Sequence, residues 1–377
     1  MPKRRILFTS HTANFHKFNR PLMRMLRGKL EAPYDDLNIG GWQVDYACAC
    51  EEKVFDADNV FKIDFARSPL RFDKHIKAYR QLKKIISDGN YEAIHTHTPV
   101  GSVVTRMAAR SAHKKGTKVI YTCHGFHFYD GAPKKNWLMY FKAEKMAAKY
   151  TDLLITINHE DYDNAKKYFS CPVKMINGVG IDITKFNADN RKSEIQKTRK
   201  RMGFKSDDFI VTYPAELQAN KNHQYLLECA APLIKKYPQL HFLFLGYGPL
   251  REKLEKMATD LDISDNIHFL GYVNNVDEIL RTSNMNISVS IREGLGLGAL
   301  EGVLCGCQTL VSNNRGHREI VGKDKRCLFS LDNPDDLRIK MENAITGKET
   351  YYMKFDQKFS LRSSLTEMRK IYLEILG

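Results

Sequence analysis

Short apolar, β-branched runs alternate with helix-length stretches along almost the whole chain, and the alternation runs through twice. In the first half the strand-like runs are Arg5–Thr9, Val44–Cys48, Ala93–His97, Lys118–Cys123, Leu153–Ile157 and Val173–Ile176, with helical stretches such as Val103–Ala112 and Trp137–Lys149 between them. A polar, basic segment from Ala188 to Lys205 interrupts the pattern. It resumes with Phe209–Tyr213, His241–Leu245, Ile267–Leu270, Met285–Ser290 and Gln308–Ser312, separated by stretches such as Gln224–Lys236 and Leu250–Asp260. Strands alternating with helices dictate a parallel sheet covered on both faces. The expectation is an α/β protein of two Rossmann-like domains, 1–187 and 206–360, joined by a linker over 188–205. A final helix within 361–377 either extends the second domain or crosses back to the first. Sheets of this kind hold ligands at the carboxyl ends of their strands, so the residues placed there decide the function.

Composition narrows the class. A chain of 377 residues is long enough for two cores. Its 43% hydrophobic and 27% charged residues are those of a globular protein. No run reaches the roughly 18 apolar residues of a membrane-spanning helix, and Ile6-Leu7-Phe8 is too short for a secretion signal. A cytoplasmic location is expected. The eight cysteines fit no zinc or redox spacing and read as buried free thiols. A net charge of +15 suits a polyanionic partner: nucleic acid, an anionic membrane face or a phosphorylated substrate. No nucleic-acid module is present and the basic residues are dispersed over both halves, so no nucleic-acid partner is assigned.

The most specific stretch is Ser290-Ile-Arg-Glu-Gly-Leu-Gly-Leu-Gly-Ala-Leu-Glu301, placed between a strand and a helix. Gly294, Gly296 and Gly298 let backbone N–H groups approach a phosphate, and a helix N-terminus adds positive partial charge. Glu293 and Glu301 bracket the loop. Carboxylates beside a diphosphate cannot be its ligands; they suit the hydroxyls of a ribose or sugar. The plainer alternative is a flexible turn, with Glu301 in the first turn of a helix and favoured by its dipole.

Glu293 and Glu301, with seven residues between them, resemble the signature of family-four retaining glycosyltransferases of the GT-B fold. Phe244-Leu-Gly-Tyr-Gly-Pro-Leu-Arg251, Phe269-Leu-Gly-Tyr272 and Asn314-Arg-Gly-His-Arg-Glu319 sit at that family's spacing. In the first half, His95-Thr-His-Thr-Pro-Val-Gly101, Tyr121-Thr-Cys-His-Gly-Phe-His-Phe-Tyr129, Asn158-His-Glu-Asp-Tyr162 and Asn177-Gly-Val-Gly-Ile-Asp182 are similar to bacterial exopolysaccharide and capsule members. The resemblance implies two parallel-sheet domains facing a central cleft and transfer of a sugar from a nucleoside diphosphate, with retention. The expected donor is a UDP-sugar. The implied acceptor is a lipid-diphosphate-linked saccharide of surface polysaccharide synthesis. No metal or other cofactor is implied beyond the nucleotide sugar itself.

Carried over by position, Glu301 binds the donor ribose and Glu293 the donor sugar. Gly294, Leu295, Gly296, Leu297 and Gly298 lie under the diphosphate. Lys221 neutralises the leaving diphosphate, and the base rests against Gly271 and Tyr272. One departure bears on this. Ala215-Glu216-Leu217 stands where the family usually has Gly-Arg-Leu, so another cation must compensate, with Arg292 and Arg251 as candidates. A second, Gln308 where the family commonly has Pro, reads as drift.

In the first half His124 follows a strand directly. Imidazole titrates near neutral pH, and in the resembling family a histidine here contacts the donor sugar and helps stabilise the reacting centre. His11, Asn14, His16 and His127 are weaker, acceptor-side candidates. His95 and His97 share one face of a strand, but no third metal ligand follows and a structural role is expected. Asp161-Tyr-Asp163 has the Asp-x-Asp pattern of metal-dependent transferases, yet lies in an apparent first helical turn, and no metal is assigned to it. Within Arg67–Ile86, Phe72, Ile76, Tyr79, Leu82 and Ile86 recur at helical spacing among basic residues. The stripe is either core-facing or a contact for anionic lipid, which would place the protein peripherally on the inner membrane face. The rival functions are a nucleotide-sugar epimerase on the same fold, a non-catalytic polyanion-binding protein, and a nicotinamide-dependent dehydrogenase whose Gly246/Gly248 pair lacks the rest of the fingerprint.

Overall fold

Strands covered by helices on both sides bury both of their faces. Ile6, Leu7 and Phe8 are fully buried, as are Phe242, Leu243 and Phe244. The computed structural model describes residues 4–12, 15–49, 54–66, 71–187 and 192–377, with the backbone alone at 192 and 193. The chain divides into two units, Met1–Gly180 with Leu361–Gly377, and Ile181–Ser360.

The first unit is built on β1 (Arg4–Thr9), β2 (Trp42–Cys48), β3 (Asn59–Lys62), β4 (Ala93–His97), β5 (Lys118–Thr122), β6 (Leu153–Thr156) and β7 (Val173–Met175). All pairings are parallel, in the order β3-β2-β1-β4-β5-β6-β7. The order reverses between β1 and β4, where the register Thr9↔Thr96 brings both carboxyl ends together. Such a switch point is where doubly wound sheets bind ligands. Right-handed crossovers put the helices Phe72–Gly89 and Pro99–His113 and the helical run 134–148 side by side on one face. The C-terminal helix Leu361–Leu376 packs on the first unit. Tyr372 hydrogen-bonds His95 there at 2.7 Å, and Ser364 Oγ donates to Gly178 O at 2.8 Å.

The second unit carries β8 (Phe209–Pro214), β9 (Leu240–Leu245), β10 (Ile267–Gly271), β11 (Met285–Ser288), β12 (Gln308–Ser312) and β13 (Leu328–Phe329). The order is β10-β9-β8-β11-β12-β13, again parallel, with the reversal between β8 and β11.

Three features differ from the sequence reading. β3 and β13 were not anticipated: β3 is an edge strand with mostly exposed side chains, and β13 has only two residues. A helix, Lys192–Arg201, occupies much of the supposed linker. Arg199 anchors it, donating to Thr282 O at 2.9 Å and Asn284 Oδ1 at 2.7 Å. The stripe on Phe72–Gly89 divides: Leu82 and Ile86 enter the core, whereas Phe72 and Ile76 are 67% and 53% exposed. Arg67 lies outside the described residues.

The cysteines are free and mostly buried among the described residues. No helix of the described residues is long and apolar enough to cross a membrane.

Candidate active site

In the second unit the loops after β8 and β11 meet at the switch point. The turn Ala219–Lys221 presents Lys221, whose Nζ donates to Glu293 Oε1. The two loops are tied further by Ile291 N donating to Asn220 O at 2.9 Å and Asn220 Nδ2 donating to Arg292 O at 3.0 Å. Burial alone would push the Glu293 carboxyl up. The Lys221 ammonium and hydrogen bonds from Lys221 and Ser290 outweigh burial and hold the carboxyl below its ordinary range.

The helix Leu297–Leu304 starts after Gly296, which has a φ of 100° and no capping side chain to offer. The loop is held by close packing at glycines. A Cβ on Gly296 would lie 2.7 Å from His317 Cδ2, and one on Gly316 would lie 2.7 Å from Glu293 O and Leu295 N. Gly298 packs under Pro214, and Leu295 is buried. Gly294 and Leu297 complete the loop and stay half-buried. The first turn of this helix therefore keeps donors that no side chain among the described residues caps, with the dipole's positive end behind them. Glu301 is half-buried and lies beyond the first turn, which contains no acid, so the dipole account of that residue is set aside.

The loop rests on the segment after β12, which sequence reasoning matched only as a pattern. Ser312 Oγ and Asn314 Nδ2 donate to Ser290 O at 2.6 and 3.0 Å. His317 Nδ1 lies 2.8 Å from Ser312 O, and a carbonyl can only accept, so the imidazole carries its proton on Nδ1. Burial pushes His317 down to about 4, and it is neutral. At the end of β10, Gly271 has a φ of 67°, and a Cβ there would stand 2.9 Å from the ring of Tyr247. Tyr247 and Tyr272 are 66% and 68% exposed at neighbouring strand ends. The sequence reading passed over Tyr247.

Glu216 is exposed and accepts a hydrogen bond from Gln218 Nε2. Arg251 is committed to Glu255 at 2.5 Å and lies over the Phe269 ring at 4.8 Å. Arg292 is half-buried beside Glu293, and its guanidinium joins no ion pair among the described residues.

In the first unit His124 lies just past β5. Cys123 N donates to Ile155 O at 2.8 Å before it, and Phe126 N donates to the buried Asp161 at 3.2 Å after it. Asn158 caps the helix His159–Tyr168 by accepting from Asp161 N, so Asp161 is a structural clamp. His124 Nε2 and His97 Nδ1 share a hydrogen bond of 3.1 Å, and Phe15 stands edge-on to His124 at 4.5 Å. Burial pushes His124 down to about 3 and His97 well below its ordinary value, so both rings are neutral. His95 is held by Tyr372 and by Thr122 at 2.8 Å. Among the described residues no group of three or more His, Cys, Asp or Glu side chains is placed to hold a metal ion.

The weaker candidates separate. His11 N donates to Thr98 Oγ1 at 3.0 Å, at the ends of β1 and β4. Thr98 itself has a φ of 67°, a strained backbone for a β-branched residue. His16 bonds Phe55 O at 3.1 Å, and His127 stacks on Tyr140 at 4.5 Å. Asn14 lies outside the described residues.

Two doubly wound parallel sheets, one with a cation, a carboxylate and a glycine-led helix start at its switch point, are the architecture of the GT-B class. Residues 37–181 match the model of Glycosyltransferase Family 4, and residues 194–359 that of Glycosyl transferases group 1. The chain is 43% identical over 284 residues to EpsD of Bacillus subtilis (strain 168), a protein named as a glycosyltransferase, with 74% of each chain covered. It is 31% identical over 254 residues to the UDP-Gal:alpha-D-GlcNAc-diphosphoundecaprenol alpha-1,3-galactosyltransferase of Escherichia coli, covering 66% of this chain and 64% of that one. Among solved structures, Anabaena Alr3699/HepE in complex with UDP and glucose matches with a TM-score of 0.71 at 16% identity, over 99% of this chain and 96% of that one. Sucrose-phosphate synthase from Thermosynechococcus elongatus matches at 0.78 and 14%, over 99% of both chains. At such identities the likeness is one of fold. The chain belongs to glycosyltransferase family 4 and is a glycosyltransferase.

Proposed function

We propose that the protein moves a sugar from a UDP-sugar to a hydroxyl of a lipid-linked saccharide in surface polysaccharide synthesis, with retention at the anomeric carbon. The observation that carries this reading is the Lys221–Glu293 pair beside the uncapped start of Leu297–Leu304. A departing diphosphate develops negative charge, and preorganised cations and N–H groups stabilise it. Lys221 and the helix start supply that environment without a metal. Arg292, beside Glu293 and in no ion pair among the described residues, is the cation that answers the missing arginine at Glu216, whose own carboxylate is exposed and engaged by Gln218. Glu301 binds the ribose, Glu293 the sugar, and Gly271, Tyr247 and Tyr272 receive the base. His124 contacts the donor sugar, and His11 lines the acceptor side.

The choice of UDP and of a lipid-linked acceptor draws on the names of the similar proteins: UDP and glucose with HepE, and a diphosphoundecaprenol-linked acceptor for the galactosyltransferase. A lipid-borne acceptor also implies contact with an anionic membrane face. Nucleotide binding tests the donor site. UDP should raise the unfolding midpoint more than GDP, ADP or CMP do, and Glu301→Ala should remove that increment while leaving the free protein's midpoint unchanged. Equal stabilisation of the variant would assign the ribose to another residue.

A further inference from the structure

His97 ends β4 and is 1% exposed, yet no step of the proposed reaction uses it. Neighbouring rings hold it in place. Phe8 stacks on it at 5.9 Å with 12° between the planes, His95 lies at 4.2 Å, and Phe15 at 5.8 Å. The register of β4 on β5 sets His97 opposite Thr122. His124 follows just past the end of β5, and its Nε2 meets His97 Nδ1 at 3.1 Å. The two remaining ring nitrogens differ in their surroundings. His97 Nε2 is wholly buried and has no hydrogen-bond partner among the described residues. His124 is only half-buried, and its Nδ1, in no hydrogen bond among the described residues, stays open to solvent.

Burial holds both imidazoles below their ordinary values, so each ring is neutral and carries one proton. A hydrogen bond between two such nitrogens has one donor, and two arrangements satisfy it. In the first, His124 Nε2–H donates to His97 Nδ1. The His97 proton then sits on Nε2, a buried N–H with nothing to accept it, and His124 shows solvent a bare lone pair. In the second, His97 Nδ1–H donates to His124 Nε2. The His124 proton then sits on the open Nδ1, and only an unused lone pair is left inside. An orphaned buried N–H is rarer in proteins than an acceptor short of a partner. The second arrangement is therefore the native one.

We propose that His97 is a positioning residue: it fixes His124 in the tautomer with its proton on Nδ1 and presents that N–H as a hydrogen-bond donor to an oxygen of the sugar. The inference rests on the reading of His124 as a contact of the donor sugar and gives that contact a direction. His124 donates, so the group it selects is an oxygen with a free lone pair. Phe8, His95 and Phe15 restrain the His97 ring, and the direction is set before substrate arrives, as preorganised electrostatics require. His95 has no such part, because Tyr372 and Thr122 already engage both of its nitrogens.

The test is heteronuclear nitrogen–proton NMR of the full chain, labelled at its imidazole nitrogens and free of substrate. The His124 signals are identified by their loss in His124→Gln. An N–H nitrogen and an imine nitrogen resonate far apart, and the expected spectrum has His124 Nδ1 as the first and Nε2 as the second. His97→Asn puts an amide N–H where Nδ1 stood and should keep this tautomer and most of kcat/KM. His97→Leu removes the donor. It should leave His124 a mixture of tautomers and lower kcat/KM about 10-fold, the worth of one neutral hydrogen bond. A wild-type spectrum with the His124 proton on Nε2 would overturn the proposal whether or not the variants fold. So would a His97→Leu protein with an unchanged His124 spectrum, or an equal loss of activity in His97→Asn and His97→Leu. The spectrum needs neither donor nor turnover. The expected tautomer in a protein that transfers no sugar would therefore reject the proposed function and keep the positioning.

Discussion

Lys221→Ala should lower kcat by roughly 100- to 1,000-fold with the UDP-sugar that supports transfer, the range seen when one preorganised charge-stabilising donor is removed. KM should change far less, because the charge that Lys221 answers is largest in the transition state. A second effect follows from the ion pair. Glu293 is 16% exposed and would lose the cation that holds it ionised, which costs about 1–3 kcal/mol of unfolding free energy. Glu293→Gln in the Lys221→Ala background removes the uncompensated anion and should recover most of that stability without recovering kcat. Denaturant titration and steady-state kinetics on the two variants separate the effects. A Lys221→Ala enzyme with near wild-type kcat would remove this lysine from the chemistry.

Arg106→Met should destabilise the first unit by about 3–5 kcal/mol, the cost of leaving one partner of a buried ion pair alone. Arg106 and Glu144 are 1% and 2% exposed. Burial pushes the Glu144 carboxyl up, and the guanidinium is its main compensation. The same guanidinium lies over the Tyr121 ring at 4.2 Å, and Tyr121 Oη donates to Glu144 at 3.2 Å. The pair thus joins the helix Pro99–His113, the run 134–148 and β5, the strand that leads to His124. Replacing both partners with apolar residues, Arg106→Met with Glu144→Leu, should return most of the loss, since an ion pair replaced by well-packed apolar groups is often neutral. Urea unfolding of the single and double variants measures it. A single variant within about 1 kcal/mol of wild type would show that water reaches Glu144 in place of the arginine.

The sequence displays most of the strands because parallel strands bury both faces: Ile6-Leu7-Phe8 and Phe242-Leu243-Phe244 can be read without knowing the fold. β3 escapes because its Asn59-Val-Phe-Lys62 residues sit at an edge and face water. Glu293 and Glu301 are legible because a short loop and a helix carry them both. The resemblance also names Lys221 and His124, but the pairings these residues make are not legible. Lys221 is 72 residues from Glu293 and meets it only because β8 and β11 are neighbours. The hydrogen bond between His97 and His124 depends likewise on β4 pairing with β5. Helical spacing grouped Phe72 with Leu82, but periodicity gives a face and not its depth. The same stripe is core at Leu82 and Ile86 and surface at Phe72 and Ile76.

The most direct test of the central claim is sugar transfer itself. Purified protein is incubated with radiolabelled UDP-glucose, UDP-galactose and their N-acetylamino counterparts, with and without a bacterial lipid-linked saccharide extract. The account predicts label in the organic phase from one donor, dependent on the extract and on Lys221, with the new linkage keeping the donor's anomeric configuration. Conversion of the nucleotide sugar to an isomer without any acceptor, or an inverted linkage, would contradict it.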